Sequence, residues 1–421
     1  MATFRWSPGG PLPDASAHSV AKLRLIRLYL QSYFQTITAR RSIDRQRVTF
    51  IDGFCGGGSY TDRGTSVSGT PLLLLEVVEE AQRVLNIGRA KHLEIDAQFY
   101  FVDSDRGAID TLKSTLALQG HLNRLGRDIH IAHATFVDAY AEIKASISAR
   151  TKRNVGRSVF VLDQKGYTDV PLSVIRDILA SFSGAEVILT FAVGWLIDYL
   201  ASGPQTIKRV GPLNLTEGQI QEYLRLRGER GGRLVIQRLL LQHLRSETGA
   251  DFASPFFIRS SEANKDLWVV HLSRHVTARN VMVQSHWSTK NHSWHPGQGG
   301  LEILGFDPNL DPAATPDFWF GEEEERIMQE KLADDLIRRL RDRYDRPVNY
   351  LRFIADVANE TPARMADFDA VASVLVKQRE LRLWDEGGTV RRAVRPARRD
   401  LIEPHPQRHF HFMGEGPIPS D

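Results

Sequence analysis

The sequence predicts a doubly wound, Rossmann-like α/β sheet with helical insertions, followed by a C-terminal winged-helix domain. Five apolar, strand-like runs alternate with helical patterns between residues 48 and 191, which is typical of a buried parallel sheet. The first run ends in Asp52 and passes directly into the glycine-rich turn 53–58. A stretch rich in Pro and Asp at 307–318 then separates this pattern from a charged, helical region.

These features divide the chain into four parts. The larger domain covers 1–306 and carries a helical insertion at about 201–262, and the linker covers 307–321. The winged helix covers 322–395, and a basic tail containing Pro and His covers 396–421.

The N-terminal elements come in a fixed order. An irregular arm covers 1–18, and a helix over about 19–39 follows, with Leu23, Ile26 and Leu30 on its apolar stripe. Lys22 lies off that stripe, so we interpret it as part of a solvated basic face. The first strand, 48–51, leads into the glycine turn. A loop over 61–70 follows, and Pro71 opens the next helix.

The remaining strands of the sheet are predicted at 97–102, 128–132, 158–162, 186–191 and 267–272. Helical patterns at 106–120, 138–150 and 171–180 separate the first four of these strands. Asp103 follows the second strand of the sheet and Asp163 follows the fourth. Because carboxyl ends of parallel strands meet at one edge, these acids should lie near the glycine turn.

Beyond the linker, helices are expected at about 322–343, 348–359 and 366–379, and a hairpin is expected at 381–392. Three helices and a hairpin in this order predict a winged helix. Its third helix has few basic residues, which disfavours strong sequence readout, while the following stretch 391–399 carries five arginines and no acid. Winged helices bind nucleic acids or proteins, and both partners stay open here.

Composition limits the possible functions. Lys and Arg number 54 against 51 Asp and Glu, so any nucleic-acid surface must come from local patches. The single cysteine, Cys55, excludes an internal disulfide and a cysteine-clustered zinc site, and we expect no metal. The N-terminus has no apolar signal core, and the most apolar run, 187–197, is too short to span a membrane. These observations predict a cytoplasmic protein without a membrane segment.

The glycine turn fits the pattern F-x-G-x-G through Phe54, Gly56 and Gly58. This pattern after an acidic residue is typical of methyltransferases that use S-adenosylmethionine, whose methionine part needs a tight turn and polar groups instead of a phosphate cradle. Asp52 would bind the cofactor ammonium and Asp103 its ribose. Asp103 follows Gly58 by more than the roughly 20 residues of the dinucleotide fingerprint. The competing interpretation is an α/β fold that has lost its ligand.

The acceptor side is predicted at Asp163, Lys165 and Tyr167. Methyltransferases of exocyclic base nitrogens carry an Asp or Asn here, followed by two prolines and an aromatic that stacks on a flipped base. This sequence retains the acidic acceptor and Tyr167 but lacks both prolines. Methylation of a ribose hydroxyl would instead need lysines around an aspartate, and Lys22 and Lys165 are the candidates.

The motifs together resemble the three-Cys-motif partner (TcmP) family. Those that carry the resemblance are KLRLIRLYLQSYF at 22–34, FIDGFCGGGSY at 50–60, FVDSD at 101–105, LDQKGYTDVP at 162–171 and EVILTF at 186–191, with VVHLSRH and MVQSHW further on. The resemblance implies a class I methyltransferase fold with a winged helix, a companion protein with a three-cysteine motif, and an association with phage or mobile DNA. The family's glycine loop is closer to DGFAGPG, so Cys55 and Gly57 depart from it.

The predicted function is therefore S-adenosylmethionine-dependent methylation of nucleic acid, DNA or RNA, together with a companion protein. The alternative is a non-catalytic nucleic-acid-binding adaptor that retains the fold, motivated by the missing prolines. A nicotinamide-dependent oxidoreductase is disfavoured because the turn lacks the spacing G-x-G-x-x-G. The predicted cofactor residues are Asp52, Phe54, Gly56, Gly58 and Asp103, and the predicted catalytic residues are Asp163, Tyr167 and Lys165.

Overall fold

A seven-stranded sheet forms the centre of the larger domain in the computed structural model, which describes residues 4–151, 155–259, 266–289, 295–296, 317–318 and 321–406. The strands of this domain are β1 (Arg45–Asp52), β2 (Ser59–Asp62), β3 (Thr65–Ser68), β4 (Glu94–Asp103), β5 (Ile129–His133), β6 (Ser158–Leu162), β7 (Ala185–Phe191), β8 (Phe252–Arg259) and β9 (Asp266–Ser273). All of these except β2 and β3 belong to the central sheet. Every residue of β6 and β7 is buried, as expected for strands covered on both faces.

The strand order is β5-β4-β1-β6-β7-β9-β8. The first five strands in this order are parallel, and β9 runs antiparallel to both of its neighbours. The chain builds outward from β1 to β5 and then returns to place β6 on the other side of β1. This reversal opens a crevice at the carboxyl ends of β1 and β6, where ligands bind in open α/β sheets. The predicted doubly wound, Rossmann-like sheet is confirmed.

Helices cover both faces of this sheet. Their bounds are α1 (Ala17–Ile37), α2 (Thr70–Val84), α3 (Arg106–Leu118), α4 (Phe136–Arg150), α5 (Leu172–Ser181), α6 (Val193–Tyr199), α7 (Pro204–Val210), α8 (Glu217–Arg227), α9 (Gly232–Thr248) and α10 (Val276–Ser288). Successive strand residues point to opposite faces. Phe50 therefore packs in the core with α1, α2, α3 and α10, whereas Ile51 packs in the core with α4, α5 and the following helices.

Two parts of the larger domain differ from the sequence prediction. Residues 61–70, expected as a loop, contribute to the hairpin of β2 and β3, whose turn places Arg63 and Gly64 at positive φ. Residues 252–259, which were assigned to the helical insertion, form strand β8 at the sheet edge. Pro255 is compatible with this position, because an edge strand leaves one side of its backbone unpaired.

A smaller C-terminal unit has its own core. It contains α11 (Glu322–Arg343), β12 (Val348–Asn349), α12 (Tyr350–Val357), α13 (Met365–Lys377), β13 (Leu381–Trp384) and β14 (Leu401–Pro404), while the two-residue strands β10 (His295–Pro296) and β11 (Asp317–Phe318) pair separately. Leu332, Leu336 and Leu340 lie on one face of α11, and all three are buried in this core. The strand order is β12-β14-β13.

The predicted hairpin at 381–392 forms in part: backbone hydrogen bonds from Asp385 to Thr389 and from Arg391 to Leu383 close its turn, but its second half is not a full strand. β13 pairs with β14, and in the part of the chain that the structure describes the segment 389–392 contributes only an isolated bridge between Trp384 and Val390. A local turn signal cannot reveal this longer connection. The winged-helix assignment stays a prediction.

The C-terminal unit packs on α10. The indole Nε1 of Trp287 donates a hydrogen bond to the carbonyl oxygen of Pro362 at 2.9 Å, and the buried guanidinium of Arg279 donates to the carbonyls of Thr361 and Ala363. His286, from the MVQSHW motif, is buried with its ring 4.9 Å from that of Phe256. The His-Trp segment therefore belongs to the core and to this junction.

Most of the predicted linker 307–321 lies outside the described residues, as do His292 and the histidines at 409 and 411. None of the helices that the structure describes is long and apolar enough to cross a membrane.

Candidate active site

The three acids predicted to meet do lie at one edge of the sheet. Asp52 ends β1 and Asp103 ends β4, and these strands are hydrogen-bonded neighbours. Asp163 directly follows β6, the neighbour of β1 on its other side. The sequence pattern found this cluster because parallel strands bring their carboxyl ends together whatever the length of the connections.

The glycine turn is held to both neighbouring strands. The N–H of Gly53 donates to the carbonyl of Val161 at 3.0 Å, and the N–H of Cys55 donates to the carbonyl of Val102 at 3.0 Å. Gly56 and Gly58 have φ values of +57° and +88°, which glycine adopts without strain. The turn is therefore fixed across the crevice, with its backbone close to all three acids.

Asp52 is the most unusual group of the site. Its side chain is fully buried, and one oxygen, Oδ1, accepts a hydrogen bond from the N–H of Phe54 at 3.1 Å. The other oxygen, Oδ2, is buried and has no hydrogen-bond partner among the described residues. Leaving a buried carboxylate oxygen without a partner is costly, so this atom indicates a position where a ligand donor is needed.

The electrostatics of Asp52 agree with this geometry. Burial raises the pKa of its carboxyl to about 8, against the lowering effect of the hydrogen bond from Phe54. The negative charges of Asp163 and Asp103 raise the pKa further, and Lys22 opposes them. A cationic ligand at Oδ2 would favour the ionised form.

Asp103 links the second strand of the cluster to the glycine turn. Its Oδ2 accepts from the N–H of Gly56 at 2.9 Å, and its Oδ1 accepts from the N–H of Asp105 at 2.8 Å. Each carboxylate oxygen has a second lone pair, so both can still accept hydroxyl donors. Asp105 in turn caps α3 by accepting from the N–H of Gly107 at 2.8 Å. The carboxylate is thus oriented before any ligand binds.

Lys22 corrects our interpretation of α1. The residue is buried, and its ammonium forms an ion pair with Asp163, 141 positions away in the chain. It does not belong to a solvated basic face. The structure thus brings together two of the three residues considered for hydroxyl methylation.

The other two predicted acceptor residues, Lys165 and Tyr167, are less closely associated with the Lys22–Asp163 pair. Lys165 is exposed and forms no hydrogen bond or ion pair with any described residue. Tyr167 is half-buried, and its ring lies 6.2 Å from that of Phe191 against the core. Gln164 is buried, and its Oε1 accepts from the N–H of Val170 at 3.1 Å. Sequence reasoning treated Gln164 only as the replacement of a proline, whereas it closes the loop that carries Asp163.

Two aromatic residues of the site were not predicted. Trp6, from the N-terminal arm, packs on the glycine turn, and its ring lies 5.8 Å from that of Tyr60. A Cβ added at Gly57 would collide with the Trp6 ring, so the indole needs glycine there. Backbone hydrogen bonds between Thr61 and both Pro13 and Ala15 attach the arm to β2. The only sequence feature that could have indicated this contact was a tryptophan within a segment rich in Pro and Gly.

Tyr60 and Cys55 both keep their protons. Burial, with the nearby charges of Asp163 and Asp52, raises the pKa of Tyr60 well above its ordinary value. Burial also raises the pKa of the Cys55 thiol, and Asp52 and Asp103 add to the effect. A thiol that stays protonated is a poor nucleophile, so Cys55 acts as a small packing residue in the turn. No group of metal-ligating side chains occurs within the described part of the chain.

Several solved structures are similar to this chain. The bifunctional kinase-methyltransferase WbdD matches 60% of this chain and 39% of its own, at 11% identity and a TM-score of 0.31. The methyltransferase domain of bacterial CtHen1 matches 59% and 99% respectively, at 12% identity and a TM-score of 0.24. Geranyl diphosphate C-methyltransferase from Streptomyces coelicolor A3(2) matches 65% and 92%, at 8% identity and a TM-score of 0.23.

No protein-family model matches the sequence, and no curated protein is significantly similar to it. The order and directions of the strands, and not these distant similarities, define a doubly wound, Rossmann-like α/β fold. The TcmP family stays a resemblance in motifs.

Proposed function

We propose that this protein is an S-adenosylmethionine-dependent methyltransferase whose acceptor is a nucleic acid. The observation that carries the proposal is the buried Oδ2 atom of Asp52, which has no partner within the described residues and lies beside a glycine turn at the switch point of the sheet. An α-ammonium group would supply the missing donor and positive charge. The cytoplasmic location and the companion protein remain part of this proposal, and they rest on composition and on the TcmP resemblance.

The residues present fit this cofactor. Asp52 would bind the methionine ammonium, and the two oxygens of Asp103 would accept the ribose hydroxyls. Gly56 and Gly58 let the ligand approach the backbone of the turn, and Phe54 lies half-buried beside them. When bound, S-adenosylmethionine supplies an electrophilic methyl group on a sulfonium.

The chain's own task is then to orient an acceptor atom. Methyl transfer depends mainly on the alignment of the reacting atoms. Asp163 lies where an acceptor would reach the crevice, and Lys22 holds its carboxylate in place. Two acceptor types fit this pair. A carboxylate oxygen of Asp163 would accept hydrogen bonds from an amino group on a base, or Lys22 would donate a hydrogen bond to a hydroxyl oxygen while the Asp163 carboxylate takes the hydroxyl proton.

The first test is binding. Titration calorimetry with S-adenosylmethionine and S-adenosylhomocysteine should give saturable binding to the native protein. Asp103→Asn and Asp52→Asn should each weaken it by about tenfold or more, because each removes a charge-assisted hydrogen bond. Asp110→Asn is the matched control, since Asp110 is exposed on α3 and pairs only with Arg106 in the described chain. No binding of either ligand by the folded native protein would refute the proposal.

The second test identifies the acceptor. Transfer of a labelled methyl group to mixed DNA and RNA should be lost in Asp163→Asn while cofactor affinity is retained. Lys22→Met should abolish transfer to a hydroxyl but only reduce transfer to a base nitrogen, so digestion of the labelled product to nucleosides separates the two chemistries. Cofactor and nucleic-acid binding without any transfer would favour the non-catalytic adaptor.

A further inference from the structure

A basic groove lies on the C-terminal unit, at the C-terminal end of the predicted recognition helix. Its volume is about 860 Å³, and it runs between the end of α13, strand β13 and the segment after that strand. The arginines that line it are Arg341, Arg379, Arg382, Arg391 and Arg392. Glu380 is the one acid among the described lining residues. The groove therefore has a strong positive charge in a protein whose overall charge is nearly balanced.

Only two of these arginines are neutralised by acids of the described residues. Arg391 pairs with Asp400, and Arg382 lies 3.4 Å from a carboxylate oxygen of Glu403. Arg341, Arg379 and Arg392 form no ion pair with any residue of the described ranges. Three guanidinium groups are thus left to interact with solvent or with a ligand.

A second arginine cluster in the same molecule shows how arginines are paired when they stabilise the fold. Arg45, Arg47 and Arg150 converge on the carboxylate of Asp96, at 2.8, 3.2 and 2.8 Å. Their hydrogen bonds hold the amino ends of β1 and β4 to the end of α4. Arginines that stabilise the fold are therefore neutralised here by a shared acid, whereas three of the five groove arginines have no such acid among the described residues.

The position of Arg379 is conformationally unfavourable. The residue has φ +61°, and it follows the C-cap of α13. Its N–H donates to the carbonyl of Val376, and the N–H of Glu380 donates to that of Leu375, which is the Schellman arrangement. Glycine is the usual residue at this left-handed position. An arginine here costs conformational energy without forming an ion pair, so its side chain is explained better by a ligand than by the fold.

Within the arginine-rich stretch 391–399, some arginines pair with acids of the unit and another lines the groove. Arg398 binds both oxygens of Asp369, at 2.5 and 2.9 Å, and Arg395 lies 3.5 Å from the same carboxylate. These two residues, with Arg391, fasten the stretch to the unit. Arg392 lines the groove, so only part of the predicted phosphate-binding stretch is available for a ligand.

We propose that this groove binds the phosphodiester backbone of the nucleic acid, a role that rests on the proposed function. The planar guanidinium group matches the geometry of a phosphate and binds it through two parallel hydrogen bonds. Val390 and Val394 are exposed beside the arginines and offer apolar contacts to the sugars. The groove carries no base-reading amide side chain among its described lining residues, so it positions the strand without selecting its sequence.

The test uses the full chain and a fluorescein-labelled oligonucleotide, either single-stranded or duplex, followed by fluorescence anisotropy at several salt concentrations. The variant Arg341→Gln/Arg379→Gly/Arg392→Gln should raise the dissociation constant by about tenfold or more. The slope of log K against log salt should fall by about two, since each lost phosphate contact removes roughly 0.7–0.9. The matched control, Arg106→Gln/Arg225→Gln/Arg326→Gln, changes the net charge equally at exposed, paired arginines.

Arg379→Gly alone addresses folding. Glycine suits the left-handed conformation, so this variant should keep or raise the melting temperature while it weakens oligonucleotide binding. Native-like affinity and salt slope in the triple variant would overturn the proposal. So would groove-dependent binding of phosphatidylserine vesicles or inorganic phosphate without oligonucleotide binding. These measurements need no cofactor. A failure of the groove proposal can therefore be distinguished from a failure of S-adenosylmethionine binding.

Discussion

Two buried carboxylate sites occupy opposite ends of the central sheet, and α1 contributes to both. Near its start, Lys22 pairs with Asp163 at the carboxyl end of β6. Two turns later, the hydroxyl of Tyr29 donates to Glu186 at the amino end of β7. Nε2 of His271 lies 2.8 Å from the same carboxylate oxygen. One helix thus fastens the two ends of the sheet.

The two sites differ in which buried polar atoms have no hydrogen-bond partner among the described residues. At the carboxyl end, an oxygen of Asp52 has no partner within the described residues. At the amino end, the leftover atoms in that same set include the hydroxyl of Tyr33 and Nδ1 of His271. The Glu186 carboxylate has its polar partners in Tyr29 and His271. Asp52, in contrast, can ionise only by leaving a buried charge without a partner in the described chain, which its raised pKa reflects. We conclude that the amino end is a structural network, and that the carboxyl end keeps an energetic penalty which a ligand relieves.

The largest expected effect comes from Asp52→Asn, measured by urea unfolding from pH 4 to pH 8. The pKa of Asp52 is raised from its ordinary value of 3.8 to about 8 in the folded protein, so the folded state holds a proton that the unfolded state releases. The contribution of Asp52 to stability is fully present below pH 4 and is lost as the pH rises towards 8.

The Asp52→Asn side chain cannot ionise, so the variant does not lose this stability as the pH rises. It should therefore gain stability relative to the native protein by up to about 1.4 kcal/mol per pH unit in this interval. A stability difference that does not vary with pH would contradict the assignment. Asp110→Asn, at an exposed position, should follow the native curve.

Glu186→Ala should have the opposite outcome at the other end of the sheet. It leaves the hydroxyl of Tyr29 and the imidazole of His271 buried without their acceptor, at a cost of about 3 kcal/mol in unfolding free energy. Glu186→Gln should recover part of this loss because an amide oxygen still accepts. Affinity for S-adenosylmethionine should not change in the folded variant. A loss of affinity at unchanged stability would contradict the division between the two ends.

The smallest expected effect concerns the arm that covers the carboxyl end. Gly57→Ala places a methyl group against the Trp6 ring and should displace the arm, with a stability loss of about 1 kcal/mol. Limited proteolysis should then cut the arm faster than in the native protein. Gly218→Ala is the control, because a Cβ there meets no atom within 4 Å. Equal cleavage rates in the two variants would show that Trp6 does not hold the arm in place.

Local signals predicted the sheet well and its edges poorly. The five parallel strands, the glycine turn and the three strand-end acids follow from apolar runs and the residues that end them. Strand β8 was missed because it follows a long helical stretch and contains Pro255. The second strand of the predicted C-terminal hairpin is reduced to one bridge, because β13 pairs instead with β14, which begins eleven residues beyond Val390, after a stretch held by ion pairs.

The sequence by itself determined the sheet, the glycine turn, and the positions of Asp52, Asp103 and Asp163, because each depends on residues adjacent in the chain. Only the tertiary structure decided that Lys22 is buried against Asp163 and that Trp6 covers Gly57. It also decided which arginines of the C-terminal unit have no acidic partner among the described residues. The physical reason is that burial and charge pairing depend on distances between residues far apart in sequence, which local patterns do not encode.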